Sequence, residues 1–233
     1  MTVHRTGRVR TRDPRRSQDI LRLFTRNVAR SGYAESNFSE IANELGISKG
    51  TIVHHYGTKD QLFAHMHDSY MERRLAEARD IVARFDAPEE RLAGLLFAFL
   101  LYQEMDHDAT VAFQREIARL ATHDALAHGR ELRATYLSLV RSVLADGMGS
   151  GSFRELDVEL QSLLIFGSSH WAWTWFEPGE RLSALEAGSQ FVQLVLGGLL
   201  VDRWPLDQLA DSAGKVATTV TEIIAEHSKS RDA

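Results

Sequence analysis

The chain has 233 residues, 44% of them hydrophobic, enough for one or two compact units with a real core. It contains no cysteine, which excludes disulfides and thiolate metal sites and fits a reducing cytoplasm. The net charge of −5 hides an asymmetry: residues 1–60 hold 11 Lys/Arg against 6 Asp/Glu and the remainder 16 against 26, so a basic front on an acidic body points to a polyanion as the partner of the front.

Residues 1–14 are rich in Arg and Thr, show no apolar period, and read as a disordered basic arm. From residue 15 onward the pattern is helical, with only 4 prolines in the chain and no sustained alternation of β-branched residues. A first helix is expected over 15–31, with Ile20, Leu21, Phe24 and Val28 on one stripe and Gly32 as its stop. A second starts after Asn37, which can cap free N–H groups while Glu40 reaches back; Ile41, Ala42 and Leu45 face inward and Gly46 ends it. A third, capped by Ser48, runs to His55, and Thr58 with Gln61 opens a fourth that extends to 84. Two short helices joined through Gly46-Ile47 describe a helix-turn-helix. Further helices are expected at 88–102, 108–121, 124–146, 157–177, 183–203 and 206–227, with breaks at 86–88, 147–151 and Pro178-Gly179. The N-terminus lacks the apolar run of a secretory signal. The apolar stretches 92–102 and 191–201 are about half the roughly 20 residues of a membrane span, so no membrane partner is expected.

The third helix carries the chemistry. Ile47 and Ile52 would anchor it, leaving Ser48, Lys49, Gly50, Thr51, His54 and His55 to face outward. A helix that reads a major groove needs donors near its N-terminus and a backbone that can approach phosphates. Lys49 supplies charge, Ser48 and Thr51 supply hydroxyls, and the Thr51 methyl suits a thymine. Gly50 costs about 1 kcal/mol in a helix relative to Ala, a cost that close approach of a partner or of the next helix would offset. A solvated helical hairpin is the bland alternative; the stacked capping signals and the basic arm speak against it. His54 and His55 are adjacent and so point about 100° apart on a helix, unlike an i, i+4 metal pair. There is no Gly-rich phosphate loop, nucleophile elbow or His-Glu-x-x-His motif, and Ser168-Ser169-His170 is not a catalytic arrangement by itself. No catalytic residue, metal site or cofactor is therefore expected.

Residues 38–62 resemble the DNA-binding signature of the TetR family: the Ile41-Ala42 pair, the Gly46-Ile47-Ser48 turn, the Gly50-Thr51 step, the His55-Tyr56 close and the Lys59-Asp60 start of the next helix. The likeness extends over 15–62 without a gap. It departs at Val53, where the family often carries a tyrosine that reaches a phosphate. The resemblance implies an all-α chain: an N-terminal three-helix helix-turn-helix DNA-binding domain over 15–62, then a larger helical ligand-binding and dimerisation domain over 63–230. It further implies a double-stranded operator met by a homodimer through Ser48, Lys49, Gly50, Thr51, His54, His55, Tyr56 and Lys59, with Lys59 on the DNA backbone.

The body offers two further expectations. The stretch 157–177 is apolar on two sides, with Leu160, Leu164, Gly167, Trp171 and Trp175 on one stripe and Leu163, Phe166, His170 and Trp173 on another. Over 183–203, Phe191, Leu194, Val195 and Leu199 alternate with Gly188, Gly197 and Gly198. In the TetR family such helices pair with their copies in a four-helix dimer bundle; a helix central to a larger monomer, covered in part by 206–227, would read the same way. In the middle, Leu95, Leu96, Phe99 and Leu100 precede Gln103 and Glu104, and Phe113 and Ile117 interleave with Gln114, Glu116 and Arg119. An apolar lining with few polar groups describes a small-molecule site, and equally any helical core with a polar face. The run from Trp171 through Pro178-Gly179 to Leu196-Gly197-Gly198-Leu199 resembles regulators of lipid and sterol breakdown that respond to acyl-CoA thioesters. That likeness implies an effector site of Phe99, Gln103, Phe113, Gln114, Arg119, His170, Trp171 and Trp175, with Arg119 partnering a carboxylate or CoA phosphate. The expected function is a repressor released by such a ligand. A drug-responsive repressor of an efflux or resistance gene, and an architectural DNA-binding protein without a ligand, are the alternatives.

Overall fold

The computed structural model describes residues 14–117 and 124–232. Apart from Pro14, the expected basic arm lies outside the described residues, as does Arg119. The described residues form eleven α-helices: α1 (Pro14–Ser31), α2 (Phe38–Glu44), α3 (Lys49–Tyr56), α4 (Lys59–Arg84), α5 (Pro88–Met105), α6 (His107–Arg115), α7 (Ala127–Gly149), α8 (Val158–His170), α9 (Ala184–Leu199), α10 (Leu206–Leu209) and α11 (Lys215–Asp232). Among them no strand forms; a single antiparallel bridge joins Phe153 to Leu200.

The first three helices close on Ile20, Leu23, Phe24, Val28, Ile41, Ala42 and Ile52, all buried. α4 runs from this unit into the body, where Tyr70, Met71, Leu75, Ala78 and Ile81 are buried. α5 is the hub of the body, buried continuously from Leu92 to Gln103. A helix apolar all round must be surrounded, and α4, α7, α9 and α11 pack about it.

Several expected boundaries move. The helix expected over 157–177 stops at His170, and a 3-10 turn, Ala172–Thr174, follows, with the Thr174 hydroxyl donating to the Trp171 carbonyl at 2.7 Å. The C-terminal helix expected over 206–227 is two helices, because the Asp211 carboxylate accepts from the Ala213 amide in an Asx turn ahead of Gly214. The helix over 108–121 ends at Arg115. Gly147 is no break: it lies inside α7, where an added Cβ would stand 2.0 Å from the Phe153 ring, so its role is close packing.

α8 and α9 turn Ile165, Phe166, Val192 and Leu196 inward. Their other face carries Leu160, Leu163, Leu164, Trp171 and Leu194, each more than half exposed. Leu163 therefore lies on the outer face rather than beside Phe166. α11 does not cover that face; it packs against α4 and α5.

Candidate nucleic-acid interface and interior cavity

The turn between α2 and α3 is built by local signals. Asn37 accepts from the Ser39 and Glu40 amides, and its side-chain amide donates to the Glu40 carboxylate at 2.8 Å. Glu40 thus meets the cap side chain, not the cap backbone. Gly46 takes φ +61°, open to glycine, and the Ile47 amide returns to the Ala42 carbonyl. Ser48 then caps α3 through the Thr51 amide, and the two hydroxyls lie 3.0 Å apart. Thr58 and Gln61 form the full capping box of α4.

On α3, Ser48, Lys49, Gly50, Val53 and His54 are exposed and Thr51 half-buried. Among the described residues nothing demands glycine at position 50; an added Cβ would meet only the Ser48 hydroxyl, at an ordinary 3.5 Å. His55 does not face outward. It is buried at 9% exposure, because it lies three residues after Ile52 and shares that inward stripe. Tyr56 also turns inward: its hydroxyl donates to the Ser17 carbonyl at 2.8 Å and accepts from the Ser17 hydroxyl. Lys59 stands at the start of α4, its ammonium 3.2 Å from the Ala34 carbonyl and 4.3 Å from the Tyr33 ring centroid.

α6 joins this unit to the body. Arg115 donates to the Ala29 and Arg30 carbonyls at 3.1 and 3.2 Å, taking up orphan acceptors at the end of α1. The Glu116 carboxylate accepts from the Tyr33 amide at 2.9 Å. Gly32, at φ +85°, admits both side chains; a Cβ there would stand 3.1 Å from Glu116 Oε1. From Tyr33 a file of rings runs inward through Phe63, His67 and Phe113 to His170. His67 has no solvent exposure, and burial pushes it down to about 3.

Immediately before that clamp, α6 lines a cavity. Phe113 and Gln114 meet Tyr70, Met71 and Arg74 of α4, Phe99 and Tyr102 of α5, Arg133 and Tyr136 of α7, and Phe166 and His170 of α8. Its volume is about 30 Å³. That is room for one or two waters, against roughly 300 Å³ or more for a small-molecule site. Gln103 lies behind the wall, its side-chain amide donating to Oε1 of Gln114 at 2.9 Å. His170 gives its Nδ1 proton to the Phe166 carbonyl at 2.7 Å, and burial pushes it down to about 4, so the ring is neutral. Arg74 is held by Glu77 and Asp106, and Arg73 shares Asp106 at 2.7 Å.

Phe99, Phe113, Gln114 and His170 thus converge. Trp171 and Trp175 do not; at 65% and 55% exposure they sit on the open α8–α9 face, because they continue the stripe of Leu160 and Leu164, which is the outward one. Tyr70, Met71, Arg74, Tyr102, Arg133, Tyr136 and Phe166 are the lining residues that sequence reading missed. The available signal was an arginine within an otherwise inward stripe, as Arg133 stands three residues before Tyr136 and seven before Val140. Among the described residues there is no cluster of three or more His, Asp or Glu that could hold a metal, and no helix long and apolar enough to cross a membrane.

A three-helix unit with an exposed third helix, joined through one long helix to an all-helical body with a small cavity lined by five helices, defines a helix-turn-helix regulatory protein. Residues 22–66 match the pattern described as "Bacterial regulatory proteins, tetR family", and 86–199 match "Tetracyclin repressor-like, C-terminal domain". The chain belongs to the TetR family. It is 30% identical over 185 residues to the HTH-type transcriptional repressor KstR2 of Mycobacterium tuberculosis, covering 79% of this chain and 92% of that one. The structure of that ketosteroid transcriptional regulator superposes with a TM-score of 0.74 at 29% identity, over 84% of this chain and 98% of the other. The fatty acid metabolism regulator protein of Bacillus subtilis is 23% identical, covering 74% of this chain and 89% of its own. AibR, solved with isovaleryl coenzyme A and operator DNA, shares the fold with a TM-score of 0.71 at 22% identity, over 77% of this chain and 97% of that one.

Proposed function

We propose that this chain is an operator-binding repressor, working as a homodimer, that releases DNA when a small apolar ligand enters the cavity. The carrying observation is the two-sided role of α6. Phe113 and Gln114 line the cavity, while the next two residues, Arg115 and Glu116, grip the end of α1. A cavity of about 30 Å³ cannot take a ligand without moving its walls, and α4 and α6 are the walls that also hold the DNA unit. A ligand that prefers the opened form therefore disfavours the form that fits DNA; equal affinity for both would shift nothing.

The operator contacts are assigned to Ser48, Lys49, Gly50, Thr51, His54 and Lys59. The unexplained glycine at position 50 supports close approach of the backbone to DNA. The DNA-binding domain spans 15–62 and the ligand and dimerisation domain 63–230. The open α8–α9 face supports pairing of two copies, which a palindromic operator requires. Its two depressions, of about 190 and 250 Å³ on either side of Phe191 and Leu194, are holes for the partner's leucines and tryptophans. An acyl-CoA thioester or another long apolar acid is the favoured effector class. The aromatic lining supports this, as does the likeness to a ketosteroid regulator and a fatty acid metabolism regulator.

The test begins with selection of a binding sequence from random duplex DNA, followed by anisotropy titrations with CoA thioesters, free CoA and free acids. Coupling of about 1–3 kcal/mol would weaken operator binding roughly 5- to 150-fold. Arg115→Ala should keep ligand binding and lose much of that displacement. Selection of no sequence would overturn the operator reading. Displacement by an unrelated drug alone would overturn the effector class, and tight operator binding indifferent to every compound would leave an architectural protein.

A further inference from the structure

We infer that the cavity selects an apolar molecule bearing one anionic head, with Arg133 supplying the opposing charge and Arg74 the hydrogen-bond donors. This rests on the reading of the cavity as the effector site and names what that site recognises.

The two arginines are in different electrostatic positions. Arg74 is 4% exposed. Its Nε lies 3.1 Å from Glu77 Oε2, and its Nη2 lies 3.2 Å from both Glu77 Oε1 and Asp106 Oδ2. The Tyr102 ring lies 3.8 Å from its Cζ. Those two carboxylates, with Arg73 sharing Asp106, already match its charge. Arg74 lines the cavity, and among the described residues its Nη1 is nevertheless buried with no acceptor. A donor left this way costs free energy until an oxygen reaches it.

Arg133 is the converse. It is half-buried on α7 at the same cavity, and among the described residues it makes no hydrogen bond or ion pair. Burial without a counter-charge is felt directly, and its pKa is lowered by desolvation alone. His170 adds no charge, being neutral with its Nδ1 proton committed to Phe166. The rest of the lining is largely aromatic, led by Phe99, Phe113, Tyr136 and Phe166. One unmatched cation, one free pair of N–H donors and aromatic walls fit a single carboxylate-like group on an apolar body. The anion has two chemical sources, the carboxylate of a free acid or a phosphate of its CoA thioester.

The test uses the full chain and two fluorescent probes with the same body. These are 1-anilinonaphthalene-8-sulfonate, which is anionic, and N-phenyl-1-naphthylamine, which lacks the sulfonate. Gln114→Trp, which fills the cavity, separates interior binding from binding on the exposed α8–α9 face, and circular dichroism confirms that each variant folds. The expected result is probe binding abolished by Gln114→Trp, with the anionic probe favoured. Arg133→Gln should weaken the anionic probe about 10- to 100-fold and leave the neutral one unchanged. Displacement of the bound anionic probe by decanoate or by decanoyl-CoA then assigns the head to a carboxylate or to the CoA phosphates. Equal loss of both probes in Arg133→Gln, or no preference for the anion in the native chain, would overturn the inference while leaving the effector cavity intact. Binding of both probes unaffected by Gln114→Trp would overturn the effector cavity itself.

Discussion

Truncating Leu194 to Ala tests the proposed pairing of two copies at the residue best placed to report it. Leu194 is 73% exposed and lines both depressions of the α8–α9 face. Full burial of a leucine side chain stabilises by about 1.5–3 kcal/mol. Three-quarters of that burial is still outstanding in the single chain, so pairing gains about 1–2 kcal/mol per copy. A two-fold interface uses the residue twice, and Leu194→Ala should weaken the dimer by about 2–4 kcal/mol, or roughly 30- to 700-fold in Kd. The fold of the single chain should be untouched, because the side chain supports little within it. Sedimentation velocity over a dilution series measures the dimer Kd, and thermal unfolding monitored at low concentration checks the fold. A Kd within about threefold of the native value, or a native chain that stays monomeric with and without operator DNA, refutes the reasoning.

Three further outcomes follow from other parts of the molecule. Lys49→Ala should cost about 1–3 kcal/mol of operator affinity if Lys49 reads a base, or reduce the salt slope by about 1 if it holds a phosphate; affinities unchanged by both Lys49→Ala and Thr51→Ala in an anisotropy titration would remove α3 from the interface. His67, pushed down to about 3 from an ordinary 6.5, is protonated first in the unfolded chain as pH falls, so its share of stability is fully present above about 6.5 and is lost progressively toward pH 3. His67→Phe should flatten the fall of Tm between pH 6.5 and 4, and parallel Tm curves would count against it. Gly188→Ala places a Cβ 2.6 Å from the Phe97 ring and forces α9 away from α5; a loss of about 1–3 kcal/mol, seen as a Tm drop of about 2–12 °C, is expected, and an unchanged Tm would mean that the α5–α9 contact yields freely.

The features legible in the sequence are those with local causes. Asn37, Ser48, Thr58 and Ser183 all cap the helices they were expected to cap, because a capping side chain reaches only two or three residues along its own chain. Gly32 and Gly46 stop or turn the chain through positive φ, again a local property. The cavity was legible only in part. Its walls come from five helices, and no periodicity brings Arg74 beside His170, nearly a hundred residues away. Arg133 was passed over because an arginine in a helix with several charges reads as solvated; only its place on the stripe of Tyr136 and Val140 marks it. Trp171 and Trp175 were misplaced because both stripes of 157–177 are apolar, so the period alone does not tell which one faces the cavity; theirs, with Leu160 and Leu164, is the exposed one. His55 was misplaced because α3 is so short that its polar and apolar faces are barely distinguished.

The placement of α11 has a mechanical consequence. This helix lies beyond the 86–199 stretch that matches the family's C-terminal pattern. It presses Val220 into the spot where Gly94 makes room for Ile81 and Phe85, and its His227 holds Asp80 at 2.7 Å. The far end of α4 is thereby pinned, while its near end carries Lys59 and abuts α3. At 1.5 Å per residue, Arg74 lies about 10 Å from a pivot at Ile81 and Lys59 about 33 Å from it. α4 is then a lever with a fixed fulcrum, and the ratio of its arms is about three. On the proposed function, a shift of about 1 Å at Arg74 would become about 3 Å where α4 meets α3, a sizeable fraction of the spacing between successive base pairs. On that same reading, weakening the fulcrum at His227, which lines neither the cavity nor α3, would leave a protein able to bind DNA and effector yet poorer at trading one for the other.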